Sequence, residues 1–361
     1  MSVREVAQAD SVRLAKDGSA VVILDQTLLP GETRYLSLTR AEDMYEAIHS
    51  LRVRGAPAIG IFAAASMAVL AMRMPEEYGA FHRAFFEASA YLDGSRPTAV
   101  NLGTMLRRME NVVEKSAGTP VREIRKRLVA EAEAIRLEDV EMCRAISEYG
   151  LTLVKDGDGV LTHCNAGPMA TSRYGTGQGT FFLAQERGIR LHAWCDETRP
   201  LMQGARLTSY ELTKAGIDCT LICDNMASVV MKQGKIQACF VGCDRCAVNG
   251  DVANKIGTSG VAILAKYYGI PFYVFCPSST IDWNCPSGDR IPVEERNADE
   301  IKTLHFASPM ALPETKCYNP AFDVTDHTLV TAIVTERGVV RAPYEENFRN
   351  LFGRQKDDPI P

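Results

Sequence analysis

The sequence predicts an α/β protein with a small N-terminal domain of short strands plus helices and a C-terminal Rossmann-like domain built on a parallel sheet. Three observations carry this. A helical pattern fills residues 40 to 149. Beyond 150, short apolar runs alternate with helical stretches. The chain has 361 residues, enough for two domains.

Residues 1 to 36 read as short strands with turns. Val21-Val-Ile-Leu24 is an apolar run and Leu29-Pro-Gly31 a turn. Helices are expected to begin near Thr39, Pro57, Pro97 and Pro120. Proline suits the first helical position because that N–H has no intrahelical partner. The longest apolar stretch, 58–72, is rich in alanine and shorter than a membrane span, so it reads as a buried helix.

In the second half the apolar runs are Val160-Leu-Thr-His163, Ile189-Arg-Leu-His-Ala-Trp194, Cys219-Thr-Leu-Ile222, Ala238-Cys-Phe-Val-Gly242 and Pro271-Phe-Tyr-Val-Phe275. Helices are expected near 176–187, 203–215, 225–232 and 256–269. Strand and helix in alternation indicate a parallel sheet covered on both faces. The domains divide as 1–145 and 146–361, with the break in a helix at 121–149 or in the turn Lys155-Asp-Gly-Asp-Gly159.

Apolar residues make up 46% and charged residues 24%, as in ordinary globular proteins. A net charge of −5 provides no basic field for nucleic acid or an anionic membrane. A few local Arg and Lys residues would still suffice for an anionic small molecule. The start, Met1-Ser-Val-Arg-Glu5, lacks the apolar core of a signal peptide. An odd count of 11 cysteines with no such signal points to reduced thiols and a cytoplasmic location. Cys243-Asp-Arg-Cys246 is formally a C-x-x-C, but a zinc site would want a second pair or nearby histidines. Neither occurs at suitable spacing, so no metal is expected.

The strand ends are the informative feature. They carry Cys164-Asn165, Cys195-Asp196-Glu197, Cys223-Asp224, Cys243-Asp244 and Cys276-Pro277. Ligands of open parallel sheets sit beyond the carboxyl ends of the strands. Cysteine also packs well there, and aspartate caps helices. Packing is the preferred reading for Cys195, Cys223 and Cys276, while Asp196 and Asp224 fit either role. Cys164 is different, because His163-Cys164-Asn165-Ala-Gly167 puts a thiol before a glycine turn with helix N–H groups expected to follow, which lowers a thiol's proton affinity. Asp244 precedes the polar segment Asn249-Gly-Asp-Val-Ala-Asn254-Lys255-Ile-Gly257. A solvated loop is the plain alternative for that segment.

Two segments suggest anion binding. Arg52-Val-Arg54-Gly55-Ala56-Pro57 precedes an apolar helix whose N-terminus offers N–H groups and a positive dipole. Arg54 adds a fork suited to phosphate. Arg96-Pro97 repeats the arrangement, and with Lys255 they make a phosphate clamp. Gly175-Thr-Gly177-Gln-Gly179 is similar to a dinucleotide loop, with Asp196 downstream. Its glycines begin eleven residues after Cys164 instead of directly at the strand end, which argues against a nicotinamide cofactor.

Longer motifs are more specific. Arg52-Val-Arg-Gly-Ala-Pro-Ala-Ile-Gly60, Arg96-Pro-Thr-Ala-Val-Asn-Leu102, Thr162-His-Cys-Asn-Ala-Gly167 and Asp196-Glu-Thr-Arg-Pro-Leu-Met-Gln-Gly-Ala-Arg-Leu-Thr208 occur in this order. Gly242-Cys-Asp-Arg245, Asn249-Gly-Asp-Val-Ala-Asn-Lys-Ile-Gly-Thr258 and Ile291-Pro-Val-Glu-Glu-Arg296 follow. From about residue 20 to 350 the chain resembles the 5-methylthioribose-1-phosphate isomerases of methionine salvage. That family shares its superfamily with ribose-1,5-bisphosphate isomerase and with regulatory subunits of an initiation-factor exchange complex. The resemblance implies a homodimer acting on a small phosphorylated sugar, with no metal or cofactor. It implies Asp244 as proton donor and Cys164 as the group that stabilises the transition state or moves the proton between C1 and C2. Arg54, Gly55, Ala56, Arg96, Gln203, Asn254 and Lys255 would hold substrate.

The residue types suit that chemistry. A C1 phosphate locks the sugar as a cyclic acetal, so an acid must protonate the ring oxygen; Asp244 fits if burial raises its proton affinity. Hydrogen then passes from C2 to C1, through Cys164 or as hydride. Cys243, Cys246, Cys276 and Cys285 stand where such proteins would carry small apolar residues, and Trp283-Asn-Cys-Pro-Ser-Gly288 looks local to this chain. An isomerase of 5-deoxyribose 1-phosphate would look almost the same. A non-catalytic subunit sensing a sugar phosphate or nucleotide is the other alternative, although such a relative would be expected to lose the Cys164 and Asp244 pair.

Overall fold

The structure is a computed structural model describing residues 10–96 and 99–354. Its described residues divide into two compact units: Asp10–Met142 with Pro168–Gly175, and Cys143–Gly167 with Thr176–Arg354.

The first unit opens with an antiparallel meander of β1 (Val12–Leu14), β2 (Val21–Leu24) and β3 (Tyr35–Leu38). Every residue of β2 is buried, which explains its unbroken apolar run. Helices follow at Ala41–His49, Ala56–Ala71, Tyr78–Asp93, Val100–Glu114 and Val121–Leu151, the last entering the second unit at Cys143. Ala56–Ala71 is apolar on all sides because it is buried on all sides. Its small residues let a neighbour come close: a Cβ on Gly60 would lie 3.1 Å from the carbonyl of Asn101. Phe62, Phe81 and Phe85 are fully buried and anchor this core, each contributing roughly 1.5–3 kcal/mol of apolar transfer.

The helices at Ala41, Ala56 and Val121 begin within two residues of Thr39, Pro57 and Pro120, the usual uncertainty of a helix end. Pro97 lies outside the described residues. Tyr78–Asp93 was not separated by sequence reasoning. Its cap is the carboxylate of Glu77, which accepts the N–H groups of Gly79 at 2.7 Å and Ala80 at 2.6 Å, whereas the usual capping signal is Ser, Thr, Asp or Asn.

The second unit is a doubly wound sheet. Its strands are β4 (Gly159–His163), β5 (His192–Asp196), β6 (Cys219–Ile222), β7 (Ala238–Val241), β10 (Phe272–Phe275), β13 (Ala332–Thr335) and β14 (Gly338–Val340), in spatial order β14-β13-β10-β7-β4-β5-β6. All neighbours are parallel except β14 on β13. The five apolar runs each become a strand of this sheet, and helices Gly179–Glu186, Ser209–Lys214, Ala227–Lys232 and Thr258–Tyr268 follow them.

The chain leaves β4 toward β5 and β6, then crosses back to β7 and continues the other way to β10. The strand order therefore reverses between β4 and β7. In such sheets the reversal opens a crevice at the carboxyl ends. A second, four-stranded sheet adds β8 (Arg245–Ala247), β9 (Val252–Lys255), β11 (Ile281–Asp282) and β12 (Phe322–Thr325), in order β11-β8-β9-β12. The polar segment after Asp244 is thus no solvated loop. Its centre is β9, buried throughout and paired with β8 and β12.

No described helix is long and apolar enough to cross a membrane.

Candidate active site

The switch point carries both expected catalytic residues. In the β4–β7 ladder His163 pairs with Val241. Cys164 follows His163 directly, and Asp244 lies three residues beyond Val241. Cys164 is half-buried and Asp244 is exposed. The burial invoked above to raise the Asp244 carboxyl is absent in the chain alone.

Cys164 has φ +66°, a left-handed value that non-glycine residues seldom adopt. Such a residue costs about 1–3 kcal/mol and persists only where its surroundings fix it. Here they do. Its N–H donates to the Thr198 hydroxyl at 2.9 Å. Its carbonyl accepts from the Thr208 hydroxyl at 2.8 Å and, more weakly, from the Gln178 amide at 3.4 Å. The amides of Gln178 and Asn165 donate in turn to Thr208, at 2.8 and 3.2 Å. Glu211, fully buried, approaches Gly167 so closely that a Cβ there would lie 1.9 Å from its carboxylate. No regular helix follows the thiol directly; the next in this unit starts at Gly179.

Thr198 is itself strained, at φ +63°, as is Met202 at +59°. The Asp224 carboxylate holds this turn by accepting the N–H groups of Thr198 and Arg199, each at 2.7 Å. Asp224 thus supports a loop, while Asp196 faces His163. The His163 ring is buried, with Nδ1 at 3.0 Å from Asp196 and Nε2 at 2.8 Å from the Ile256 carbonyl. Sequence reasoning missed this pair; its signal was a histidine and an aspartate at the carboxyl ends of two adjacent strands.

Gln203 is buried at the start of a π-helical turn, Gly204–Thr208, and its Oε1 has no hydrogen-bond partner among the described residues. π turns recur at functional sites. Asn254 donates to the Thr258 hydroxyl at 3.0 Å, and that hydroxyl donates to the Lys255 carbonyl at 2.6 Å. The Lys255 ammonium lies 4.6 Å from the centre of the Phe322 ring. These residues sit on or beside β9 and the turn after β5, in the same unit as Cys164 and Asp244.

Arg54, Gly55, Ala56 and Arg96 belong to the other unit. Arg52 pairs there with buried Asp25 and with Glu46, which makes it structural. Gly55 has φ +96°, and a Cβ on it would lie 2.7 Å from Ala170, so its conformation and packing both demand glycine. Arg96 is half-buried, and its side chain has no hydrogen bond or ion pair among the described residues.

Cys195 and Cys276 are fully buried, as packing requires, and Cys223 is half-buried beside Glu197, whose charge pushes its thiol up. Gly177 packs against the end of β7, 3.0 Å from the Val241 carbonyl carbon to an added Cβ. Close packing thus accounts for a glycine of the apparent dinucleotide loop. Among the described residues, two groups bring metal-ligating atoms within 4.8 Å of one another: His163, Asp196 and Asp224, and Asp251, Asp326 and His327. In the second, Asp251 already accepts the N–H groups of Gly288 and His327, each at 2.9 Å, and ties loops together.

A doubly wound parallel sheet with strained residues at its switch point defines an α/β protein of the Rossmann-like class. Residues 52–342 match the initiation factor 2 subunit family, and the chain belongs to it. It is 56% identical over 352 residues to a methylthioribose-1-phosphate isomerase of Symbiobacterium thermophilum, covering 97% of this chain and 98% of that one. It is 52% identical over 342 residues to a 5-deoxyribose 1-phosphate isomerase of Petrotoga mobilis, covering 94% and 98%. The crystal structure of 5-methylthioribose 1-phosphate isomerase from Pyrococcus horikoshii superposes with a TM-score of 0.91 at 40% identity, covering 98% and 99%.

Proposed function

We propose that this chain is an isomerase that converts 5-methylthioribose 1-phosphate to 5-methylthioribulose 1-phosphate. The observation that carries the reading is the placement of Cys164 and Asp244 at the carboxyl ends of adjacent strands, at the point where strand order reverses. Relatives named as isomerases of pentose 1-phosphates support the reaction class.

In the proposed reaction Asp244 protonates the ring oxygen and opens the acetal. Substrate bound over this exposed carboxyl would remove water and strengthen its hold on the proton. Cys164, fixed by its backbone, then serves the C2-to-C1 transfer, either by passing a proton or by stabilising a hydride shift. Gln203, Asn254 and Lys255 hold the sugar phosphate, as do Arg54, Gly55, Ala56 and Arg96. The working form is a homodimer, which a sizing column checks. The 52% identical relative favours a second reading, 5-deoxyribose 1-phosphate as the substrate.

The test offers the purified chain 5-methylthioribose 1-phosphate, 5-deoxyribose 1-phosphate and ribose 1,5-bisphosphate, with ketose followed by NMR. The methylthio sugar should be turned over fastest. A preference for the deoxy sugar would select the second reading. No ketose from any of them would leave a non-catalytic sensing subunit.

A further inference from the structure

We infer that His163 and Asp196 form a proton-sharing positioning pair, which holds Cys164 and the Asn254–Lys255 strand in register for the isomerisation proposed above.

The hydrogen bonds demand a shared proton. Nε2 of His163 faces the Ile256 carbonyl at 2.8 Å, and a carbonyl only accepts, so Nε2 carries hydrogen. Nδ1 faces Oδ2 of Asp196 at 3.0 Å. That contact needs one proton, either on the ring opposite a carboxylate or on the carboxyl opposite a neutral ring. In both forms the pair is neutral overall. This suits its burial, since His163 is 1% and Asp196 0% exposed. The second oxygen of Asp196 has no hydrogen-bond partner among the described residues.

The connections give the pair its role. His163 immediately precedes Cys164, Ile256 immediately follows Lys255, and Asp196 begins the turn that leads through Thr198 to Gln203. One ring therefore ties together three segments that carry expected site residues. Gly257, at φ +104°, closes over the ring, and a Cβ there would lie 2.8 Å from its Cε1. Only glycine leaves room for the ring at this position.

The charged and titratable neighbours are few. Asp224 approaches from beyond β6, Glu197 follows Asp196, and the Cys239 thiol of β7 feels Asp196. Burial opposes charge on His163, but the Asp196 hydrogen bond and the charges of Asp196 and Asp224 together hold its proton above the ordinary histidine range. The direct 3.0 Å contact leaves no room for an ion between Nδ1 and Oδ2, so we read a pair and not a metal centre.

The experiment combines ring NMR on 15N-labelled protein with steady-state kinetics over pH, for the wild type and Asp196→Asn. In the wild type, one buried histidine should keep its proton pattern through neutral pH and titrate only on the alkaline side. The kcat profile should share that alkaline limb. The Asp196→Asn amide can donate to Nδ1 of a neutral ring, so the limb should vanish while kcat falls by about 10–100-fold and KM moves little. A role in stability alone would lower the melting temperature and leave the limb in place. The inference is overturned if the wild-type ring titrates like an ordinary histidine, if Asp196→Asn keeps the limb, or if added zinc displaces the ring proton. The ring spectrum decides even without turnover, which separates failure of this inference from failure of the isomerase reading.

Discussion

The N–H of Cys164 donates to the hydroxyl of Thr198 at 2.9 Å, across 34 residues of sequence. Both residues have left-handed φ, +66° and +63°. The Thr198 hydroxyl donates onward to the Asp196 carbonyl at 3.1 Å. Thr198→Val keeps the shape but leaves a part-buried N–H and a carbonyl unsatisfied, at a cost of about 1–3 kcal/mol. We expect a lower melting temperature together with a tenfold or greater loss of kcat, on the order of the effect of misplacing a reacting group. Thr198→Ser retains the hydroxyl and should recover most of both. Wild-type kcat in the valine variant would detach Thr198 from the chemistry.

The assigned roles of Cys164 and Asp244 predict large kinetic effects on an intact fold. Asp244 is exposed, so Asp244→Asn should leave thermal unfolding unchanged. Its ketose production should fall by about 10²–10⁴-fold, the usual worth of a positioned acid. Cys164→Ala should be comparably slow. Full turnover by either variant would remove that residue from the mechanism.

The parts legible in the sequence share one physical basis. A strand buried on both faces is mostly apolar, so the runs Val160–His163 and Ala238–Gly242 stand out in the sequence. Their polar ends marked the crevice. What stayed hidden depends on contacts distant in sequence. Val252–Lys255 looks polar, yet its Asn254 and Lys255 are buried against β12, where Lys255 pairs with Phe322. The His163–Asp196 contact needs the β4–β5 pairing, which no local pattern reveals. Glycine is ambiguous in sequence: Gly55 and Gly177 both suggest a ligand loop, and both also have packing reasons.

Arg52 and Arg54, two residues apart, should behave differently. Arg52 neutralises Asp25, which is 1% exposed. Arg52→Ala strands that carboxylate and should cost about 1–3 kcal/mol of stability, read by chemical denaturation. Its effect on KM should be small. Arg54→Ala should instead raise KM for the sugar phosphate. If the two profiles were exchanged, the proposed phosphate contact would move to Arg52.

Stability should also depend on pH in a defined direction. His163 keeps its proton above its ordinary range, because the hydrogen bond and charge of Asp196 outweigh burial. Between about pH 4 and 6.5, the native and unfolded chains each hold one proton on this pair. Above that, the unfolded histidine loses its proton while the folded pair retains it. The native state then binds more protons, so its contribution to stability falls as pH rises and is lost beyond the folded value. Asp196→Asn should flatten this alkaline decline in melting temperature. An unchanged slope would assign the decline to other groups.

Gly204 and Gly260 give a final contrast, because only one has room for a methyl group. A Cβ on Gly204 would lie 1.7 Å from the Asp196 carbonyl oxygen and 2.9 Å from the Thr198 hydroxyl. The first contact is to backbone and cannot be relieved by rotating a side chain. Gly204→Ala must therefore push apart β5 and the turn that carries Gln203, at a cost of about 1–3 kcal/mol or more. It should also lower kcat, because the same turn holds Thr198 against Cys164. Gly260 lies exposed within helix Thr258–Tyr268, with nothing within 4 Å of an added Cβ. Gly260→Ala should stabilise by roughly 0.5–1 kcal/mol through the smaller backbone entropy lost on folding, and leave turnover unchanged. Parallel melts and kinetics of the two variants check this, and equal effects at both sites would contradict the close approach of Gly204 to Asp196.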